Sequence, residues 1–366
     1  MSDSQLVEPY DALLVVSFGG PEGLDEVMPF LENVLRGRNV PRERMLEVAH
    51  HYELFGGVSP INGQNRALIA ALERELAASN LKLPVYWGNR NWHPLLADTI
   101  RQMRADGVAR ALAFVTSAYS SYSGCRQYRE DIERAREAVG EGAPQVDKLR
   151  VYYNHPGFIA PNVENLRAAL ARIPYERRRA AHVAFTAHSI PLSMAANCDY
   201  QAQLLDTCRL VAEGVGHARW QLVFQSRSGS PAQPWLEPDI CDHLRELKQA
   251  GASDVVVAPV GFISDHMEVL YDLDTEARQV AEEIGLNLIR AATVGTHPTF
   301  IGMIRDLIVE RQTCAPVRLA LGTRGAKEDV CPADCCLMGA GRPANANAQI
   351  GNSATPASTN ERPASI

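Results

Sequence analysis

The sequence lacks a long apolar segment, an excess of positive charge and a basic leader. None of its apolar runs approaches the roughly 18–20 residues that a membrane-spanning helix needs, so stable membrane insertion is not expected. The 366 residues carry a formal net charge of −7, which argues against a nucleic-acid-binding surface. The N-terminal stretch MSDSQLVEPYDALLVVSFGG contains neither a basic head nor a signal-type apolar block. These absences predict a cytoplasmic protein.

The glycine-rich turns also lack the signatures of nucleotide binding. SFGGPEG, residues 17–23, has neither the G-x-G-x-x-G spacing nor the Lys-Ser/Thr pair of a phosphate loop. We interpret Gly19 and Gly20 as a tight turn between a strand and a helix, which lets a flat ligand approach the backbone. A second such turn, FGGVSPINGQN, begins the next helix and makes Ser59 a candidate ligand contact.

Short apolar runs alternate with amphipathic stretches from one end of the chain to the other. Continuous apolar strands separated by helices predict parallel sheets that are covered on both faces. The candidate strands are residues 12–18, 83–88, 111–117, 150–153, 182–188, 221–226, 255–262 and 287–292. We therefore predict an α/β fold of two Rossmann-like domains, each with a four-stranded parallel sheet flanked by helices, and a cleft between them.

This rhythm also predicts the domain boundaries. The first domain is expected at residues 10–150 and the second at 151–296, with a helix at about 297–312 that can pack back on the first domain. Residues 313–337 form a cysteine-rich extension. Residues 338–366 are rich in Ala, Asn, Pro and Ser and have no apolar period, which predicts a disordered tail.

A histidine stands at the end of the apolar strand HVAFTAH, directly before SIP. Open parallel sheets bind ligands at the carboxyl ends of their strands, so His188 is expected to face the cleft. Pro191 fixes the path by which the chain leaves the strand, because its ring restricts φ and it has no N–H to donate. The imidazole could serve as a base near neutral pH or as a ligand for iron, zinc or cobalt.

Three carboxylates recur every four residues in GFISDHMEVLYDLDTE, at Glu268, Asp272 and Glu276. This spacing places them along one face of a helix, where like charges repel each other. One interpretation is a solvated acidic face. The other is a cleft wall that carries a divalent cation inward or accepts protons from a substrate, and Asp265 and His266 add donors and acceptors nearby.

The sequence has eight cysteines, and three of them, Cys331, Cys335 and Cys336, crowd into CPADCC. Disulfides are not expected in a cytoplasmic protein. Together with Cys125, in the polar loop YSSYSGCRQY, the three thiols could complete the four ligands of an iron–sulfur cluster or of a structural zinc ion. The spacing C-x₃-C-C is not a common signature of either site.

Several long motifs, in order, resemble ferrochelatases, the enzymes that insert ferrous iron into a porphyrin. They are LLVVSFGGPEG, RGRNVP, HYELFGGVSPINGQN, VYWGNRNWHP, TAHSIP, FQSRSG with PWLEPDI, and PVGFISDHMEVLYDLDTE, within roughly residues 10–312. The likeness is greatest to the Gram-positive branch that metallates coproporphyrin III in haem biosynthesis. Many members of that branch carry a C-terminal [2Fe–2S] cluster.

The resemblance implies a role for each candidate residue. His188 and Glu268 match the family's catalytic pair, which would also contact the iron. Asp272 and Glu276 match the acidic ridge that conducts metal. The porphyrin contacts that the resemblance implies are Ser59, Tyr128 and, more weakly, Tyr52. Some relatives have a tyrosine that can ligate product iron where this sequence has Phe18. The cluster ligands that it implies are Cys331, Cys335, Cys336 and the distant Cys125, with Cys314 in reserve.

Other functions remain compatible with the residues. A protoporphyrin IX ferrochelatase would differ only in the ring carboxylates that its pocket accommodates, and a cobalt or nickel chelatase of tetrapyrroles would use similar donors. A two-lobed binding protein would share the architecture but would need neither the carboxylate series nor His188. We expect a monomer whose partners are a porphyrin and ferrous iron, with at most transient contact with the next enzyme of the haem pathway.

Overall fold

Two parallel four-stranded sheets organise residues 9–36, 40–228 and 233–339, the residues that the structure, a computed structural model, describes. The first sheet has the order β2-β1-β3-β4 and the second β6-β5-β7-β8. The first sheet contains β1 (Ala12–Ser17), β2 (Val85–Asn89), β3 (Arg110–Val115) and β4 (Gln145–Lys148). The second contains β5 (His182–His188), β6 (Trp220–Gln225), β7 (Asp254–Ala258) and β8 (Asn287–Arg290). The predicted fold of two similar parallel sheets is confirmed.

Helices connect the strands and cover the sheets. The helices are α1 (Leu24–Val34), α2 (Arg42–Glu53), α3 (Ile61–Ala78), α4 (Leu96–Ala105), α5 (Gln127–Val139), α6 (Pro156–Ala171), α7 (Tyr175–Arg178), α8 (Leu192–Ala195), α9 (Tyr200–Val215), α10 (Ile240–Gln249), α11 (Met267–Val269), α12 (Ala277–Glu283) and α13 (Pro298–Gln312). Two π-helical turns, π1 (Tyr122–Arg126) and π2 (Leu270–Glu276), lead into α5 and α12. Within the described ranges no helix combines the length and apolar character needed to cross a bilayer.

The central strand of the first sheet is apolar on both faces, because helices cover it from both sides. β1 reads ALLVVS, and each of its residues is buried. Leu13 and Val15 enter the larger hydrophobic core, whereas Ala12, Leu14 and Val16 enter a second core on the opposite face. This alternation is the period of two that an extended chain imposes. The apolar run therefore accounts for the central position of β1.

β1 and β5 occupy equivalent positions in their sheets. Each pairs in parallel with the next strand of the chain on one side and with the strand after that on the other. The order of the strands reverses at such a position, and the crevice beyond it is where open α/β sheets bind ligands. β1 ends at Ser17 and β5 ends at His188. The two switch points therefore bring SFGG and HSIP to ligand-binding edges.

The fourth strand was predicted wrongly. The structure has β4 at Gln145–Lys148, not at residues 150–153. β4 is an edge strand of one exposed and three half-buried residues, and among the described strands it pairs with β3 alone, so its hydrophobicity gives little signal. Tyr152 and Tyr153 are buried for another reason, since they pack in the larger core as the chain leaves the first sheet.

The last helix and the cysteine-rich extension contact elements from both halves of the chain. α13 packs on α3 and on α6. In the extension, the Asn154 side-chain nitrogen donates to the carbonyls of Leu321 at 3.2 Å and Gly325 at 2.9 Å. Arg126 on π1 donates to the carbonyl of Cys335 at 2.8 Å. The predicted tail, apart from Met338 and Gly339, lies outside the described residues.

Candidate active site

His188 is fixed at the carboxyl end of β5. Its Nδ1 lies 2.5 Å from the carbonyl oxygen of Ser189, and because a carbonyl can only accept, Nδ1 carries the proton. The Tyr200 hydroxyl donates to the backbone carbonyl of His188 at 3.0 Å. These contacts leave Nε2 as the ring nitrogen that faces the cleft.

Glu268 faces this nitrogen, with its Oε1 3.7 Å from the Nε2 of His188. The His188 side chain is 32% exposed and the Glu268 side chain is 50% exposed, so both are accessible from the cleft. Burial disfavours the charged form of both groups and alone would lower the pKa of His188. The Glu268 carboxylate outweighs burial and raises the pKa of His188 above its ordinary value. Burial alone would raise the pKa of Glu268. The charge and hydrogen bond of His188, and to a smaller extent His266, outweigh burial and lower this pKa well below its ordinary value. At neutral pH the two groups are therefore an imidazolium and a carboxylate.

A second histidine flanks Glu268. The Nδ1 of His266 lies 4.0 Å from Oε2 of Glu268, and its ring packs edge-to-face on Phe262 at a centroid distance of 4.8 Å. Burial first, and the charge of His188 in addition, outweigh the carboxylate and lower the pKa of His266. His266 is therefore a neutral donor or acceptor beside Glu268. The sequence pattern noted it but did not place it in the catalytic set.

The other two carboxylates lie on π2, where a regular α-helical face was expected. A π-helical turn is rare and occurs frequently at functional sites. The Asp272 carboxylate accepts hydrogen bonds from the Ser226 hydroxyl and, at 3.3 Å, from the Gln225 side-chain nitrogen. Burial first, then Glu268 and Glu276, raise the pKa of Asp272 to about 7, against the hydrogen bond from Ser226. Glu276 is exposed, so the carboxylates run from the surface toward His188.

Aromatic side chains from the first half of the chain form the facing wall. Phe18, just after β1, is 38% exposed and packs against Phe30 at a centroid distance of 6.3 Å. Phe30 also contacts Tyr52 at 5.9 Å and Trp92 at 6.0 Å. Burial, and then the charge of Glu268, raise the pKa of Tyr52, which places this phenol within electrostatic reach of the carboxylate.

Two contacts connect the halves across this cleft. The His51 ring on α2 stacks on the Tyr271 ring of π2, with centroids 3.6 Å apart and planes 12° apart. Deeper in, the Gln64 side chain donates to the Asp265 carbonyl at 2.7 Å and accepts from the Asp265 N–H at 2.8 Å. The segment that carries Glu268 is therefore held by the first half of the chain as well as by the second.

The remaining predicted porphyrin contacts lie on the first-half side. Ser59, between α2 and α3, is buried against the turn after β1, and its N–H donates to the Pro21 carbonyl at 2.8 Å. Tyr128 is also buried, and the Arg90 guanidinium lies over its ring at 4.5 Å and over the Phe18 ring at 5.9 Å. In the described ranges neither Ser59 nor Tyr128 hydrogen bonds with His188 or Glu268. Arg90 follows β2 in NRNW and was not predicted as a site residue.

The four predicted cluster cysteines are close enough to influence each other's pKa. Cys331 is affected by Cys125 and Cys335, and Cys336 by the same two thiols. The neighbouring Cys331 thiol, helped by Lys148 and opposed by burial, lowers the pKa of Cys125. All eight cysteines are free and Cys314 is exposed. Among the residues described, no three His, Cys, Asp or Glu side chains are arranged to hold one metal ion.

Parallel sheets of matching order, with a histidine–carboxylate pair between them, define a two-lobed α/β enzyme of the chelatase type. The sirohydrochlorin chelatase SirB from Bacillus subtilis subspecies spizizenii, in complex with cobalt, has this fold, with a TM-score of 0.50 and 11% identity over 83% of this chain and 96% of that chain. SirB from Bacillus subtilis with Fe³⁺ has a TM-score of 0.52 at 11% identity, over 83% of this chain and 98% of that chain.

The sequence comparisons are more specific. The ferrochelatase family model matches residues 10–312, and the chain belongs to the ferrochelatase family of metal chelatases. A ferrochelatase of Rhodopirellula baltica is 58% identical over 93% of this chain and 99% of its own length. A coproporphyrin III ferrochelatase of Streptomyces coelicolor is 55% identical over 95% of this chain and 99% of its own length.

Proposed function

We propose that this enzyme inserts ferrous iron into coproporphyrin III, as a step of haem biosynthesis, in the cleft between its two sheets. The observation that carries the proposal is the His188–Glu268 pair, 3.7 Å apart at the switch point of the second sheet. The choice of porphyrin rests on relatives: the Streptomyces coelicolor and Streptomyces griseus proteins, 55% and 54% identical to this chain, are named coproporphyrin III ferrochelatases.

The geometry suggests how the pair works. Metal insertion releases two pyrrole protons, so the site must accept protons as well as deliver a cation. His188 is protonated while Glu268 faces it, and its Nε2 has no lone pair to offer. A ferrous ion that reaches Glu268 through Glu276 and Asp272 neutralises the carboxylate and lowers the pKa of His188. His188 then loses its extra proton to the cleft, and Nε2 becomes free to accept the two pyrrole protons in turn, releasing the first to solvent in the cleft before it takes the second.

The aromatic wall would seat the porphyrin. Phe18, Tyr52 and Trp92 provide apolar faces for a flat ring, and bending that ring to expose its nitrogens costs about 1–5 kcal/mol. Phe18 has no oxygen, so it cannot ligate the product iron as a tyrosine could. In this proposal Ser59 lies where the ring edge approaches the backbone. Tyr128 acts from behind, by holding Arg90 in the wall.

We infer that Cys125, Cys331, Cys335 and Cys336 would bind a [2Fe–2S] cluster. Such a cluster takes four thiolates, and the mutual influence of these four thiols supports them as its ligands. The lowered pKa of Cys125 favours a thiolate there, although burial opposes it. When bound, the cluster supplies a one-electron redox centre and crosslinks the extension to π1. A structural zinc ion would instead need all four sulfurs around one point.

The cluster can be tested by spectroscopy. The purified protein should contain iron and acid-labile sulfide and absorb in the visible region, and Cys331→Ser should remove this absorption. Cys314→Ser, at an exposed cysteine outside these four, is the control and should keep it. A colourless protein that contains one zinc ion would contradict the proposal.

The catalytic role of His188 and the identity of the substrate are tested by measuring porphyrin binding and the rate of metal insertion. His188→Ala should abolish metal insertion and leave porphyrin binding, measured by fluorescence quenching, within about threefold of wild type, since the aromatic wall is untouched. Wild-type turnover should be at least about tenfold faster with coproporphyrin III than with protoporphyrin IX. Metal insertion by His188→Ala would contradict the proposed mechanism. Faster turnover of protoporphyrin IX would contradict the assignment of coproporphyrin III as the substrate.

The broader setting of the enzyme also remains a proposal. We expect domains at residues 10–150 and 151–296, and the repeated strand order supports this division. A cytoplasmic location agrees with eight free cysteines, because thiols persist in reducing compartments. A monomer in transient contact with the next enzyme of the pathway stays a prediction, which light scattering of the purified protein would test.

A further inference from the structure

Gln225 is a buried polar residue that the mechanism above does not use. It is the last residue of β6 and is 1% exposed. In the parallel pairing of β5 with β6 it lies directly beside His188, so both side chains leave the same face of the sheet. The backbone carbonyl of Gln225 also accepts the Ser189 N–H at 2.8 Å. Its side chain is therefore placed under π2, next to the catalytic histidine.

The side-chain nitrogen of Gln225 connects two parts of the metal path. It donates to the backbone carbonyl of Glu268 at 3.2 Å and to the Asp272 carboxylate at 3.3 Å. A carbonyl only accepts, so the orientation of the amide is fixed by this contact. The bridge spans the junction of α11 and π2, between the residue that faces His188 and the next carboxylate outward.

The side-chain oxygen of Gln225 is buried without a hydrogen-bond partner among the described residues. A buried acceptor without a donor destabilises a fold, and an apolar side chain of the same shape would avoid that penalty. Core packing alone therefore does not favour glutamine at this position. What distinguishes glutamine from methionine or leucine here is its N–H₂ group, which binds Glu268 and Asp272.

Ser226, the next residue, supports the same carboxylate. Its φ of 61° lies in the left-handed region, which is unfavourable for a serine. In this conformation its hydroxyl donates to the same Asp272 oxygen that Gln225 contacts. The end of β6 therefore aims two neighbouring donors at one carboxylate of π2.

We propose that Gln225 is a positioning residue for metal delivery, which holds the Asp272 carboxylate beside Glu268 so that a cation can pass from one to the other. The inference rests on the proposed function, because it assumes that metal enters along Glu276, Asp272 and Glu268. Without the amide, Asp272 keeps its bond to Ser226 but loses the one to Gln225, and the Glu268 carbonyl loses its link to the end of β6. The metal then meets a wider gap before it reaches His188.

The test measures the KM for the metal and the binding of the porphyrin separately. Gln225→Met keeps the length and volume of the side chain but removes the donor, and Gln225→Glu replaces the donor with an acceptor that faces the Glu268 carbonyl. Both variants should raise the KM for the metal at least about tenfold, the usual effect of losing a residue that supports a metal ligand. Porphyrin binding and the thermal midpoint of Gln225→Met should stay at wild-type values. Gln221→Met, at an exposed glutamine of the same strand, is the control and should change neither the KM for the metal nor the affinity for the porphyrin.

Two results would overturn the inference. One is a wild-type metal KM in Gln225→Met. The other is an equal loss toward both substrates together with a lower thermal midpoint, which would mean a purely structural role. Glu268→Gln and Asp272→Asn are measured alongside. If these two leave the metal KM unchanged, the metal path itself is wrong; if they raise it and Gln225→Met does not, only the role of Gln225 is wrong.

Discussion

Among single residues, Asp272 is the carboxyl group of the cleft whose charge changes near neutral pH. Burial, and then the charges of Glu268 and Glu276, raise its pKa to about 7, although Ser226 stabilises the charged form. His188 and Glu268 instead remain an ion pair across this range, because each shifts the pKa of the other away from neutrality. A metal ion that reaches Asp272 must displace a proton below about pH 7 but not above it.

The same shift makes Asp272 a source of pH-dependent instability. Its carboxyl ionises more easily in the unfolded chain than in the folded protein, so the folded state loses stability as the pH rises from about 4 to about 7. Asp272→Asn removes this penalty. Part of the side chain is open to the cleft, so we expect a gain of about 1–2 kcal/mol at pH 8, a smaller gain at pH 5 and none below pH 4. Denaturant unfolding at these pH values measures the difference.

A neighbouring acid provides the control for this prediction. Asp274, also on π2, accepts a hydrogen bond from the Arg290 side chain at 2.7 Å. Asp274→Asn weakens that ion pair and should destabilise the protein at pH 8, the opposite sign from Asp272→Asn. A loss of stability in Asp272→Asn at pH 8 would contradict the raised pKa of Asp272.

The site residues that could be predicted from the sequence are those that stand out in a local pattern. His188 stands out because an apolar strand ends there before Pro191, and the three carboxylates stand out by their spacing. Gln225 and Arg90 carry no such local mark, and His266 was noted only as a donor or acceptor near the carboxylates. Gln225 becomes a neighbour of His188 only through the pairing of β5 with β6, and sequence periodicity does not specify which strands pair.

Among secondary-structure elements, the strands with apolar sequences were predictable, whereas the polar edge strand β4 and the π-helical turns were not. A central strand is buried on both faces, so its sequence is apolar throughout. β4 pairs on one side only and reads QVDK, which resembles a loop. The π-helical form of residues 270–276 coincides with the tertiary bonds that Ser226 and Gln225 make to Asp272. Carboxylates at intervals of four residues suggest a regular α-helix. The tertiary bonds from Ser226 and Gln225 cannot be read from the sequence, so the π-helical form was not predicted.

The loop from β7 to Glu268 depends on one glycine. The Gly261 N–H donates to the Thr186 carbonyl at 3.0 Å, and a Cβ at this position would lie 2.6 Å from the Cα of Ala187, the residue before His188. Gly261→Ala must push the loop away from β5 and lengthen the His188–Glu268 contact. We expect at least about a tenfold loss of kcat/KM and about 1–3 kcal/mol of destabilisation from overpacking. Steady-state kinetics and denaturant unfolding measure the two effects.

Gly302 is the matched control for this substitution. It lies within α13, where an added Cβ would meet only the Arg305 side chain, at 3.8 Å. Gly302→Ala should leave kcat/KM unchanged and should raise stability by up to about 1 kcal/mol, because glycine is unfavourable inside a helix. If Gly261→Ala behaved in the same way, close packing of the loop against β5 would not be what positions Glu268.

At the scale of the whole molecule, the two halves are joined both in the core and at the cleft, and also away from it. In the core, the Tyr119 hydroxyl donates to the Val260 carbonyl at 2.8 Å, and at the cleft Gln64 binds the backbone of Asp265. Outside it, α13 and the extension cross between the halves. The buried Arg150 pairs with Glu310 on α13 at 2.6 Å and also donates to the Leu319 carbonyl at 2.9 Å. The extension therefore contributes to the stability of the body as well as carrying the cysteines.

Ending the chain after Gln312 tests this contribution. The truncation removes the carbonyls that Asn154, Arg150 and Arg126 bind, and each intramolecular hydrogen bond contributes about 0.5–1.5 kcal/mol net. We expect the free energy of unfolding to fall by about 2–4 kcal/mol, as measured by denaturant titration. Below its melting temperature the truncated enzyme should keep kcat/KM within about threefold of the full chain, because its cleft residues all precede the cut.

Two comparison proteins separate the contacts of the extension from the proposed cluster. A chain that ends at Gly339 retains every contact described above and should be as stable as the full chain. Full-length Cys331→Ser lacks one proposed cluster ligand but keeps the bonds to Asn154, Arg150 and Arg126, so it should lose less stability than the chain ending at Gln312. If Cys331→Ser were destabilised as much as the truncation, the cluster would hold the extension in place, and its hydrogen bonds to the body would contribute little.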